Sequence, residues 1–356
     1  MKSTAIAPSN IAFVKYWGRK DEELKLPANG SISMNLSGLT TTTTVEFSSE
    51  YTEDDITIYS SSEERSDESR SSKRAIKQYS NGFESSRLTS FARTIKNDPK
   101  VIAHLDRIRK LAGISDKAKV VSENSFPRGT GLSSSASGFA ALTVAATKAA
   151  GLDLSEKELS ILARQGSGSA CRSIPDGFVE WLDGDTSDTS YAVSLYPPEH
   201  WDIVDIAVVL TDQVKDVSTT EGQKLAHTSP FFSIRQEKIK NKIAKIKDYL
   251  KTKKFQAFGE LVEAEALEMH AIMLTSHPSL IYWYPATIIL MKQVKQWRMT
   301  SIHVYWSVNT GQNIHLICQK KDAEKVTQLV KQLPEVKQVI INYPANGARV
   351  ANQHLF

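Results

Sequence analysis

The segment that most constrains the fold is Pro127-Arg-Gly-Thr-Gly-Leu-Ser-Ser-Ser-Ala-Ser-Gly138, which runs without a break into Phe139-Ala-Ala-Leu-Thr-Val-Ala-Ala-Thr-Lys-Ala-Ala150. The second half, small and apolar on every side, predicts a buried helix over 137–151. The first half carries little side-chain bulk, so backbone N–H groups can approach an anion while the helix turns its positive dipole end to the same point. Gly129, Gly131, Ser133, Ser134 and Ser135 are therefore candidate phosphate contacts, and the Ser135 hydroxyl a candidate magnesium ligand. The GxxxxGK[ST] pattern is absent, which excludes a P-loop. A flexible Ser-Gly linker is the competing reading, but linkers rarely feed directly into an apolar helix.

Two further segments place charge beside small residues. In Ala7-Pro-Ser-Asn-Ile-Ala-Phe-Val-Lys-Tyr-Trp-Gly-Arg-Lys20, an apolar strand ends in Lys15, Tyr16, Arg19 and Lys20, with Asn10 within it. That arrangement suits a phosphorylated ligand, although an edge strand with solvated charges fits as well. In Arg164-Gln-Gly-Ser-Gly-Ser-Ala-Cys-Arg-Ser-Ile-Pro-Asp-Gly177, a second small-residue loop carries Arg172, a planar fork for carboxylate or phosphate. A tight helix-to-strand turn is the alternative.

Strands are expected at 4–14, where Pro8 interrupts, at 31–47, whose threonine run suits a pleated sheet, and at 54–60. Residues 60–98 turn polar and serine-rich and read as a mobile loop, with a short helix at 87–95. Helices follow at 99–113 and at 155–164, the latter with a Ser155–Glu158 capping box. Residues 203–211 read as a central strand. Beyond it come helices at 229–252, 254–273, 285–296 and 321–333 and strands at 301–308, 313–319 and 337–342. The class is α+β, with a boundary near residue 190.

A net charge of +4 over 356 residues argues against a nucleic-acid binder and suits a small anionic substrate. Cys171 and Cys318 have no metal spacing and form no disulfide framework, which points to a reducing cytoplasm. No signal sequence and no apolar run of membrane length is present. His270, His303 and His315 sit among apolar residues and read as structural rather than as ligands.

Taken together, APSNIAFVKYWGRKDEELKLPANGSISMNL, NSFPRGTGLSSSASG, RQGSGSACRS and MHAIMLTSHPSLIYWYPAT resemble the diphosphomevalonate decarboxylases of the GHMP kinase superfamily. The resemblance covers most of the chain outside about 61–98. It implies a two-lobed fold, with a ribosomal-protein-S5-like N-terminal lobe (1–190, the mobile insertion at about 61–98 included) and a ferredoxin-like C-terminal lobe (191–356). It also implies a cytoplasmic homodimer that uses ATP and Mg2+ to phosphorylate the tertiary hydroxyl of 5-diphosphomevalonate, after which phosphate and carbon dioxide depart. By resemblance, Asn10, Tyr16, Trp17, Gly18, Arg19, Ser167, Gly168, Ser169, Ala170, Cys171, Ser218, Thr219 and Thr220 contact substrate. Lys15 neutralises the transferring phosphate, Arg172 orients the carboxylate, and Lys100 stands where the family usually has an arginine at the ATP end.

Three departures stand out. The family's catalytic aspartate corresponds here to Asn309 in Val308-Asn-Thr-Gly-Gln-Asn313, and an amide cannot take a hydroxyl proton. Asp176 replaces a usual glycine and is a candidate substitute carboxylate, although a turn-closing role suits it equally. Arg128 sits inside the phosphate loop, to contact ATP or face solvent. The loss at 309 leaves other activities open: a 5-monophosphate decarboxylase, a 3-hydroxyl kinase, an ATP-independent decarboxylase of a 3-phosphorylated substrate, or a binding paralogue.

Overall fold

The computed structural model describes residues 1–61, 91–127 and 129–356. In chain order the first part comprises β1 (Lys2–Val14), β2 (Arg19–Asp21), β3 (Leu26–Pro27), β4 (Ser31–Ser48), β5 (Asp55–Ser61), β6 (Phe91–Lys96), helix α1 (Pro99–Ala112), β7 (Lys117–Asn124), α2 (Ser134–Ala149) and α3 (Glu156–Gly166). A 3-10 turn over Gly168–Ser173 leads to β8 (Phe178–Trp181) and β9 (Ala192–Tyr196). Then come β10 (Ile203–Val209), α4 (Thr219–Lys224), α5 (Phe232–Thr252), α6 (Phe255–Thr275), α7 (Pro285–Met299), β11 (Val304–Ser307), β12 (Ile314–Gln319), α8 (Lys320–Lys331), β13 (Gln338–Asn342) and β14 (Arg349–Ala351).

Two sheets organise the molecule, as the α+β expectation requires. The larger runs β14-β1-β4-β7-β5-β6, with β8 and β9 continuing from the far end of β4. Among the described residues its one parallel pair is β5 with β7. The smaller sheet, β11-β12-β10-β13, is antiparallel throughout. The last strand thus returns to the first sheet. Pro8 lies at a register shift in β1, beyond the stretch that β14 covers, so its missing N–H breaks no ladder there. Thr41, Thr43 and Thr44 of the β4 threonine run are buried with their hydroxyls satisfied: Thr44 pairs with Thr4 at 2.6 Å, Thr43 with Ser122 at 2.8 Å, and Thr41 donates to Asn124 at 2.5 Å.

Packing follows the periodicity. The all-round apolar surface of α2 packs through Ala140, Ala141 and Ala145 against Val45 and Val120 of the sheet and Leu105 and Ile108 of α1. Along β10, Ile203, Ala207 and Val209 face one core with Phe13 and Phe258, while Val204, Ile206 and Val208 face another with Leu290 and Val326. Burial of both faces fits a strand that is apolar except at Asp205, whose carboxylate is held by His315 and Asn342. The capping box at Ser155–Glu158 is present.

One element is corrected. The expected helix at 87–95 gives way, over its described part, to strand β6, which pairs antiparallel with β5 from Thr57–Lys96 to Ser61–Phe91. The exposed edge of β5 supplies a ladder partner, and that tertiary pairing overrides a weak local propensity. Of the expected mobile stretch 60–98, residues 60–61 belong to β5 and 91–96 to β6; its residues 62–90 lie outside the described residues.

Candidate active site

The loop before α2 is held in conformations that only small residues adopt easily. Gly129 and Gly131 have φ of +78° and +92°, and Ser133, the residue preceding the helix, is left-handed at φ 60°. At Gly131 a Cβ would meet Gly311 Cα at 2.7 Å, so the segment carrying Asn309 presses backbone to backbone on the loop. Ser133 makes no side-chain cap on α2; its hydroxyl instead accepts the Asn309 side-chain N–H at 2.9 Å. Ser134 turns inward to accept the Gly129 N–H at 3.3 Å. Ser135 faces a cavity of about 220 Å³, and the Ser167 hydroxyl stands 3.3 Å from its own. Arg128 lies outside the described residues.

Six cations line this cavity: Lys15, Arg19, Lys25, Lys100, Arg107 and Arg172. No carboxylate does so among the described residues. Of the salt bridges among those residues, one involves a cavity-lining side-chain cation: Arg19 with Glu22 at 2.5 Å. Arg172 is buried and answered by neutral partners, donating to Ser33 Oγ at 3.1 Å, Ser31 Oγ at 2.8 Å and Asn10 Oδ1 at 3.0 Å, so burial holds its pKa below the ordinary value. The Lys25 ammonium donates to the Gln165 and Gly166 carbonyls. Burial, then repulsion from Arg19, Arg107 and Lys100, lowers it to about 8. Positive charge without counter-charge is the signature of a polyanion site.

Lys15 sits at the end of β1, buried, donating to Ser307 Oγ at 2.6 Å and Asn309 Oδ1 at 3.1 Å. Burial lowers it to about 7, against partial compensation from Glu265. Asn309 is held from its other side as well, where its backbone carbonyl meets His270 Nε2 at 3.0 Å. Tyr16 accepts from Arg19 Nε at 2.8 Å and packs edge-on against Trp181.

Among the expected site residues, Lys15, Tyr16, Arg19, Lys100, Ser133, Ser135, Ser167, Gly168, Ser169, Arg172, Thr219, Thr220 and Asn309 converge on the cavity. Others stand behind it. Asn10 anchors Arg172 and the Ser173 hydroxyl. Trp17 is core, packed with Met269 and Met273. Gly18 donates its N–H to Gln223 at 2.6 Å. Ala170 and Cys171 are buried, Cys171 with its thiol pushed up to about 12 by burial, and Ser218 caps α4. Asp176 is a correction. Its carboxylate is exposed and accepts the Gly347 N–H at 2.6 Å, outside the cavity lining. It ties the backbone at Gly347 to the segment before β8 and has no place in the cavity lining beside Asn309. Lys20 likewise pairs at the surface with Asp185. His315 pairs with Asp205 at 3.0 Å in the core, and His303 is exposed.

Sequence reasoning missed Lys25, Arg107, Gln223 and Lys215, which clamps Thr219 and the Thr310 carbonyl. Arg107 left a signal: it lies two helical turns from Lys100, with Ala103 between on the same face of α1. Lys25 left none, because a left-handed turn between β2 and β3 delivers it.

A glycine-serine loop at a helix N-terminus, facing uncompensated cations between two packed sheets, defines an enzyme-like protein built to hold phosphorylated small molecules. The chain belongs to the diphosphomevalonate decarboxylase family. The model of the diphosphomevalonate decarboxylase-like N-terminal domain matches residues 7–192, and that of the mevalonate 5-diphosphate decarboxylase C-terminal domain matches residues 205–353. The diphosphomevalonate decarboxylase of Aspergillus fumigatus is 34% identical over 343 residues, covering 93% of this chain and 80% of the relative. That of Candida albicans is 33% identical, covering 92% and 87%. The solved MDDEF complex with MVAPP, AMPPCP and magnesium shares 33% identity over 99% of each chain, with a TM-score of 0.83. Mevalonate diphosphate decarboxylase from Staphylococcus aureus reaches the same TM-score of 0.83 at 32% identity, over 99% of this chain and 98% of that one. The fold is the GHMP kinase fold.

Proposed function

We infer that this protein decarboxylates (R)-5-diphosphomevalonate to isopentenyl diphosphate, with ATP as second substrate and Mg2+ as cofactor. One observation carries the reading: the buried, carboxylate-free Arg172 and Lys15 meet at the same cavity as the N-terminus of α2. Relatives named for this activity, and a relative's complex with MVAPP, AMPPCP and magnesium, support it.

The geometry supports an assignment of roles. Ser133 and Ser135 on the cavity, backed by the Gly129–Gly131 loop at the start of α2, cradle ATP phosphates, with Lys100 on the same cavity. Lys25 and Arg107 strengthen the field there. Tyr16, Arg19, Ser167, Gly168, Ser169, Thr219 and Thr220 hold the mevalonate diphosphate. Arg172, fixed by Ser31, Ser33 and Asn10, orients the carboxylate that departs as carbon dioxide. Asn309 positions the tertiary hydroxyl by hydrogen bonding. The donors present fit magnesium as a phosphate-borne ion. Ser135 and Ser167 offer hard hydroxyl oxygens, and no cluster of three or more His, Cys, Asp or Glu forms a dedicated cage among the described residues. When bound, magnesium neutralises charge on the phosphates.

A division into lobes 1–190 and 191–356 belongs to the same reading, supported by the second sheet β11-β12-β10-β13, although β9 and β14, beyond residue 190, join the first sheet. A homodimer does too, supported by the exposed Ile281 before α7 and Ile288 and Ile289 in its first turns. A cytoplasmic setting belongs to the reading as well, supported by two buried cysteines that form no disulfide. The test is to supply ATP, Mg2+ and, in turn, mevalonate, its 5-phosphate and its 5-diphosphate, while following ADP and carbon dioxide together. Equal release of both, fastest with the 5-diphosphate, is expected. ADP without carbon dioxide, or carbon dioxide without ATP, overturns the reading.

A further inference from the structure

We propose that Lys15 accepts the proton of the substrate's tertiary hydroxyl, the task that an aspartate at position 309 performs in the family's pattern. The inference rests on the decarboxylase reading above.

Three observations carry it. The cavity has no carboxylate among its described lining residues, so the reaction must find its proton acceptor elsewhere. Lys15 Nζ reaches the cavity from a fully enclosed position, and both its side-chain partners, Ser307 and Asn309, are neutral. The Asn309 amide is fixed in orientation, since its N–H donates to Ser133 Oγ at 2.9 Å and its carbonyl oxygen therefore faces the amine. Position 309 thus keeps hold of Lys15 without giving it a counter-charge.

The other charged groups facing Lys15 do not restore one. From α6, Glu265 Oε2 accepts the Lys15 backbone N–H at 3.1 Å, but its carboxylate is already engaged by Arg235 at 2.9 Å and Lys242 at 2.7 Å. His270 of the same helix is neutral, pushed down to about 3 by burial. Asp205 of β10 is held by His315 at 3.0 Å and Asn342 at 3.0 Å. Arg172 and Arg235 add repulsion, so burial prevails and the amine titrates at about 7. A large share of it is then neutral near neutral pH, with a lone pair free to accept a proton.

The balance closes. The Lys15 lone pair takes the hydroxyl proton as that oxygen bonds to the γ-phosphorus of ATP. The bond from that phosphorus to its bridging oxygen breaks, and the electron pair leaves on ADP. The carbon–carbon bond to the carboxylate then supplies the electrons of the new double bond, the carbon–oxygen bond breaks, and carbon dioxide and phosphate depart. The ammonium of Lys15 returns its proton to the leaving phosphate, which resets the amine.

The test pairs Lys15→Arg, Asn309→Asp and the double variant, each checked for fold by its melting curve. Arginine keeps the charge and gives up no proton, so kcat of Lys15→Arg should fall by about 100-fold or more, because general-base catalysis contributes about that much. Adding Asn309→Asp should recover at least about tenfold of the loss. In Asn309→Asp alone the acidic limb of kcat/KM should move from near 7 to below about 6, since a carboxylate titrates lower. A readout independent of turnover is the 13Cε titration of Lys15 in the ligand-free protein. Its midpoint should lie near 7 in the wild type and rise above about 9 in Asn309→Asp, where the new carboxylate supplies the missing counter-charge. A wild-type midpoint above about 9, Lys15→Arg turnover within about tenfold of wild type, or an unmoved limb in Asn309→Asp overturns the inference. A wild type that releases neither ADP nor carbon dioxide sinks the decarboxylase reading and this inference with it. Release of both by an undiminished Lys15→Arg sinks this inference alone.

Discussion

Glu265→Gln should destabilise the whole protein and shift the titration of Lys15. The Glu265 side chain is fully buried on α6, and its two oxygens bind Arg235 Nη2 at 2.9 Å, Lys242 Nζ at 2.7 Å and the Lys15 N–H at 3.1 Å. Arg235 in turn donates to the Lys15 carbonyl at 2.8 Å and Asn29 at 3.0 Å, so this network fixes the end of β1 on which the site is built. Glutamine removes the anion and leaves both cations in place, with Arg235 only 3% exposed. Breaking a buried pair in this way costs about 3–5 kcal/mol. At about 2 °C per kcal/mol for a chain of this size, the melting temperature should drop by roughly 6–10 °C. Glu268→Gln is the internal control. It pairs with the same Lys242 but its side chain is 42% exposed, so its loss should cost less than about 1 kcal/mol.

The sign of the pH dependence follows. Burial alone would raise the Glu265 carboxyl, but Arg235 and Lys242 outweigh it and hold the pKa below the ordinary 4.5. A carboxylate with a depressed folded pKa contributes its full stability above the unfolded value and loses it as pH falls through the folded one. The gap between wild type and Glu265→Gln should therefore be complete above pH 4.5 and narrow in stronger acid. Glu265 also raises Lys15 by its charge, so the variant's acidic limb of kcat/KM should move further down. Thermal unfolding followed by far-UV circular dichroism across pH reads the first effect and initial rates read the second. If Glu265→Gln melts together with Glu268→Gln, the reasoning is wrong.

Gly131→Ala should abolish nucleotide binding or prevent folding. Its Cβ would fall 2.7 Å from Gly311 Cα at a φ of +92°, and isothermal titration with an ATP analogue reads the loss. Asp176→Asn should leave turnover within about twofold of wild type, because the amide oxygen still accepts the Gly347 N–H and a surface substitution of this kind is near neutral; a large fall in kcat would return Asp176 to the chemistry. Both thiols are buried and pushed up to about 12, so Cys171 and Cys318 should resist alkylation at pH 8 in the folded protein and react once it is denatured.

Local patterns determined the elements, the ligand loops and the family. The alanine-rich run of α2, the capping box at Ser155 and the double-sided apolar run of β10 are set by residues a few positions apart, and periodicity reports them directly. The same holds for the Gly129–Gly131 loop and the small-residue turn ending in Arg172, which depend on the absence of side-chain bulk. Only the tertiary structure decided the rest. It turned the segment before α1 into strand β6, because a pairing edge on β5 outweighs local preference. It sent Asp176 outward to Gly347, and it brought Lys25 and Arg107 inward beside residues far off in sequence. The same packing enclosed Lys15 against Asn309 while Glu265 and Asp205 were taken up by other partners, which lowers its pKa. Desolvation and through-space charge depend on what surrounds a group in three dimensions, and no spacing along the chain records that.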